Sequence, residues 1–80
     1  MKLTVVKIIQ RTLSNGDRPW LICGRGEDGV AYKGWINPKH GFWNRCGWQR
    51  VIDAGVGAII EVGITKNTKL INGDAAPKIL

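Results

Sequence analysis

Residues 2–13, KLTVVKIIQRTL, hold the most restrictive pattern in the chain. β-Branched and aliphatic side chains dominate the run, which favours a strand over a helix. The alternation changes phase partway along. Leu3 and Val5 share one face, while Val6 and Ile8 share the other. In a strand of unbroken period two, one of these pairs would face water. The pattern therefore predicts a long first strand that bends or carries a bulge, so that it serves two parts of a barrel.

The rest of the chain reads as short elements separated by turns. Ser14-Asn15-Gly16-Asp17 is a concentrated turn signal. Residues 19–25, PWLICGR, predict a second strand, with Pro19 at a first position that needs no ladder donor. Gly26-Glu27-Asp28-Gly29 predicts the next turn, and residues 30–36, VAYKGWI, a third strand. There Val30, Tyr32 and Ile36 share one face, while Ala31, Lys33 and Trp35 share the other. Residues 37–43 read as an irregular loop. Asn44 is placed as an N-cap for a helix over 45–54, with Trp48, Val51 and Ile52 on one stripe and Gly55 as its left-handed stop. Residues 58–65 predict a fourth strand with Ile60, Val62 and Ile64 facing the core. The last strand is either 68–71 or the tail 75–80, where Pro77 argues for a sheet edge.

Eighty residues suffice for one domain, 1–80, and not for two. Twelve Lys and Arg stand against six Asp and Glu, a formal charge of +6. Such a surplus attracts polyanions: nucleic acid, an anionic membrane surface or an acidic protein. Four of the six aromatic residues are Trp, more than a small core needs. The opening MKLTVVKIIQR is too short and too often interrupted by charge for a secretion signal. No apolar run approaches the roughly 20 residues that span a bilayer. These features predict a cytoplasmic protein with reduced thiols and no membrane association.

Three strands, a helix and two further strands, with a long bent first strand, make an order that resembles the OB-fold. The segments that carry it are KLTVVKIIQRTL, PWLICGR, VAYKGWI, NRCGWQRVIDA and AIIEVGIT. The resemblance covers nearly the whole chain, but it lies in element order and not in a motif. It implies a mainly β fold, a small five-stranded OB-like barrel with one short helix between strands three and four. It also implies a ligand surface across strands two and three, extended by the loops after strands one and four. Read onto this chain, that surface takes Trp20 and Arg25 from strand two, Lys33 and Trp35 from strand three, and Lys66 and Lys69 from the loop after strand four. The loop from strand three to the helix adds Lys39, Phe42 and Trp43, and Arg45 follows at the start of the helix. Residues 75–80 hold no Asp or Glu, so recruitment of partners through an acidic tail, as in many single-strand binders, is not expected.

Lys33 and Trp35 are the sharpest pair, because an outward indole beside an outward ammonium can stack a base and meet a phosphate. The competing arrangement turns that face inward and makes Trp35 core. Trp48 belongs to the apolar helix stripe. Cys23 reads as a small core hydrophobe. Cys23, His40 and Cys46 are too few and too dispersed for structural zinc, so no metal or cofactor is expected. No nucleophile–base or paired-carboxylate pattern appears, and an enzyme is not expected. The leading expectation is sequence-tolerant binding of single-stranded nucleic acid, DNA before RNA. The alternative is a small phage or mobile-element protein that binds and modulates an acidic host protein. The tail 75–80 is a candidate edge for a homodimer.

Overall fold

The computed structural model describes residues 1–39, 45–73 and 75–80, with the side chains of Arg45 and Cys46 outside that description. Its elements are β1 (Lys2–Gln10), β2 (Trp20–Gly26), β3 (Ala31–Ile36), α1 (Arg45–Ala54), β4 (Ile59–Glu61) and β5 (Lys78–Ile79). The strands form one sheet in the order β3-β2-β1-β4-β5, antiparallel throughout.

The phase change in β1 is a bulge. Val5 stands opposite Gly24 and Lys7 opposite Cys23, so Val6 is the extra residue. Leu3 and Val5 lie in the core before it, and Ile8 packs against the core after it. Val6 itself is exposed. The strand ends at Gln10, short of the expected residue 13, because the next turn recruits the chain. Leu13 N–H donates to the Asp17 carbonyl, and Gly16 N–H donates to that of Leu13.

β3 alternates cleanly: Tyr32, Gly34 and Ile36 are buried, and Ala31, Lys33 and Trp35 are exposed. Asp28 ties off the turn before it. One carboxylate oxygen accepts from Val30 N–H at 3.0 Å and the other from the Tyr32 hydroxyl at 2.6 Å.

The helix occupies the expected residues, while the Asn44 cap lies outside the described ones. Trp48 and Val51 are buried and Ile52 packs beside them. Trp48 donates its indole N–H to the Gly73 carbonyl at 3.3 Å, satisfying the one polar atom of an otherwise apolar side chain. Truncating so large a buried ring costs about 3–5 kcal/mol. Gly55 closes the helix at φ 78°. This is the left-handed region that side chains with a Cβ enter at a cost.

The C-terminal third departs most from expectation. The fourth strand keeps Ile60 and Val62 in the core but shortens to Ile59–Glu61. Beyond it, a hairpin runs over 63–72. Thr65 N–H donates to the Leu70 carbonyl, Asn72 N–H donates to the Gly63 carbonyl, and Ile64 and Ile71 form an isolated antiparallel bridge. Both places considered for the last strand are used, one for this hairpin and one for β5. The five strands do not close into a barrel. At the β3 edge the sheet meets the hairpin through a parallel bridge, Lys33 to Leu70, with Ile71 N–H donating to the Lys33 carbonyl at 2.9 Å. Gly34 permits that approach, since a Cβ there would sit 2.9 Å from the Ile71 Cβ. Among the described residues, no helix is long and apolar enough to cross a membrane.

Candidate ligand face of the sheet

The register of β1, β2 and β3 arranges the outward side chains in cross-strand rows. Ile9, Leu21 and Trp35 form one row, Lys7, Cys23 and Lys33 the next, and Thr4, Arg25 and Ala31 the third. No carboxylate stands in any of these rows. Trp35 remains 39% exposed at the β3 edge. The Arg11 guanidinium lies over its ring, 5.5 Å from the centroid. That distance is within the range of a cation–π contact. The face thus joins an indole to four cations: Arg11, Lys7, Lys33 and Arg25.

A cleft of about 370 Å³ opens beside these rows. Val6, Cys23 and Ala31 border it on the sheet side, Thr68, Lys69 and Leu70 on the hairpin side, and Lys33 joins the two. Lys69 sits at the hairpin end with φ 54°. Its charge also reaches Asp28, whose carboxyl is held below the usual carboxylate range, first by the Tyr32 hydroxyl and the Val30 N–H.

The expected site residues separate into groups. Arg25, Lys33 and Trp35 share the outward face, and Lys69 joins Lys33 through the cleft. Lys66 lies exposed in the turn of the same hairpin. Trp20 is elsewhere: paired with Gln10 and Ile36, it packs half-buried against the core side of the sheet. Lys39 reaches across the sheet end to Asp17, with its Nζ 2.9 Å from Oδ1. Asp17 also accepts from Asn37 at 3.1 Å and Asn15 at 3.3 Å. Its carboxyl is pushed below the ordinary range, first by the Lys39 hydrogen bond and then by that of Asn37. Lys39 is therefore engaged with a carboxylate. Phe42, Trp43 and the Arg45 side chain lie outside the described residues.

Cys23 corrects an expectation. It lies between buried Ile22 and buried Gly24, so strand alternation turns it away from the core. It is a free cysteine, partly buried, and borders the cleft. Sequence reading missed Arg11 and Lys7. Both owe their outward position to the Val6 bulge, which resets the alternation midway along β1.

A second cleft, of about 410 Å³, lies between the β1–β2 turn and the segment after β3. Its polar groups largely satisfy one another, through Asp17 and through a Gln10 side-chain N–H donated to the Arg18 carbonyl at 3.3 Å. Among the described residues, no group of three His, Cys, Asp or Glu could hold a metal ion. No family model, curated protein or solved structure matches this chain.

Proposed function

We propose that the outward face of β1–β3 binds single-stranded nucleic acid with little sequence preference, with DNA the first candidate. One observation carries the reading: an exposed indole under an arginine, on a sheet face whose cross-strand rows hold three further cations and no carboxylate. Bases of any sequence have a π-face for Trp35, and phosphates find Arg11, Lys7, Lys33 and Arg25. Duplex DNA keeps its bases stacked inside, where a flat indole cannot reach them.

The OB-like barrel belongs to the same reading. The β1 bulge, the parallel bridge from Lys33 to Leu70 and the antiparallel bridge from Ile64 to Ile71 support a sheet rolled toward closure, with the hairpin across its gap. A binding role in the cytoplasm, without catalysis, completes it.

The test is Trp fluorescence titrated with oligo(dT), the matching RNA and a duplex across a salt series. The reading expects quenching by the single strands and affinity that falls linearly on a log–log salt plot. Absence of binding at low salt, with an acidic protein co-purifying instead, would replace it with the host-protein alternative.

A further inference from the structure

We infer that the cleft between β2–β3 and the 63–72 hairpin takes one unstacked nucleotide of the bound strand. Its base would lie on Val6, Cys23, Ala31 and Leu70, and its phosphate between Lys33 and Lys69. The inference rests on the nucleic-acid reading and adds a second contact point to it, away from the Trp35 ring. Three features carry it. The cleft volume, about 370 Å³, falls at the small end of ligand pockets, suited to one planar group and not to a folded peptide. Its surface is mostly apolar, yet it leaves Val6 half-exposed and Leu70 40% exposed. Among the described residues two lysines and no carboxylate border it, so its charge complements a phosphate. The cleft also shares one residue with the Trp35 face. Lys33 belongs both to the cleft and to the strand that carries Trp35, two residues on.

Cys23 makes the occupancy measurable in the unaltered protein. Its thiol borders the cleft, so a bound base shields it from a maleimide. The experiment is N-ethylmaleimide labelling of the native chain at low salt, read separately at Cys23 and Cys46 by peptide mass spectrometry. Labelling is timed with no ligand, with oligo(dT), with an abasic oligonucleotide of equal length, and with inorganic polyphosphate. Trp fluorescence is followed in the same samples. The expected result is Cys23 labelling slowed at least tenfold by saturating oligo(dT), and far less by the abasic strand or polyphosphate. Equal protection by the abasic strand would overturn base insertion, leaving a phosphate site. Trp quenching with unchanged Cys23 labelling would overturn the cleft inference while the nucleic-acid reading stands. Neither quenching nor protection would remove both. In a second arm, Lys69→Gln should weaken oligo(dT) binding severalfold and lower its salt dependence. A folded Lys69→Gln protein with unchanged affinity and salt dependence would count against the cleft as the phosphate site.

Discussion

At the residue scale, the molecule depends on which side of β3 each side chain faces. Trp35 and Ile36 are neighbours in sequence, yet one is 39% and the other 2% exposed. Replacing Trp35 with Ala should leave the fold intact, since its ring lies outside the core cluster. It should cost about 1–3 kcal/mol of binding to single strands, the worth of one base–aromatic stack. Fluorescence anisotropy with a labelled oligo(dT) measures this, and Trp35→Phe should recover part of the loss. Undiminished affinity in a folded Trp35→Ala protein would exclude the stack. Gly34, between the two lysine and tryptophan positions, acts on stability instead. An Ala Cβ there meets the Ile71 Cβ at 2.9 Å, and Ile71 is held by the hydrogen bond to Lys33. Gly34→Ala should therefore destabilise by about 1–3 kcal/mol, the usual cost of overpacking. Urea denaturation would read it, and an unchanged midpoint would mean the hairpin yields without strain.

At the element scale, the local signals were legible where a segment's own pattern decides its structure. The bulge followed from two incompatible faces in one run. The helix followed from Trp48, Val51 and Ile52 with Gly55 behind them. β3 followed from strict alternation. The legible part of the site was the Lys33–Trp35 pair, which alternation alone places on one face. What could not be read depends on pairing across the chain. Trp20 looked equivalent to Trp35 until the register set it beside Ile36. Arg11 over Trp35 links residues 24 positions apart, through a strand whose parity a bulge has shifted. Residues 68–71 and 75–80 each offer only a short run, so propensity alone does not choose between them. Long-range contacts divide them between a hairpin and β5.

The element ends also set the pH response. Asp17 and Asp28 in turns, and Glu61 beside the N-terminal ammonium, are all held below their ordinary carboxylate range by hydrogen-bond donors. A carboxyl that releases its proton more readily when folded adds stability above its unfolded pKa. That contribution fades as pH falls through the lower folded value. Stability should thus be level near neutrality and decline below about pH 4, the ordinary carboxylate range. Tyr32 works in the opposite direction. Its hydroxyl donates to Asp28 and its pKa is raised, so its contribution is lost as pH climbs beyond the ordinary tyrosine range. Thermal melts from pH 2 to 11 would show both edges. Asp28→Asn should blunt both, since the same carboxylate serves both groups.

At the scale of the whole molecule, the question is whether its charge of +6 acts as a diffuse cloud or through one face. Salt dependence distinguishes the two, because each phosphate neutralised on a single strand contributes about −0.7 to the log–log slope. Engagement of Arg11, Lys7, Lys33 and Arg25 gives a slope of about −3, deepened slightly by Lys69 if the cleft is filled. If all twelve Lys and Arg took part, the slope would approach roughly −8. Lys39 should be silent because Asp17 already holds it at 2.9 Å, and Lys2 because Glu61 stands opposite it in the register. The comparison can be made within one protein. Lys33→Gln should make the slope shallower by about 0.7, while Lys39→Gln should leave it unchanged at the same net charge. Equal effects from the two substitutions would show that position does not matter. The face would then be no more than part of a uniformly basic surface. A difference confined to Lys33 would locate the charge that acts on the strand beside Trp35.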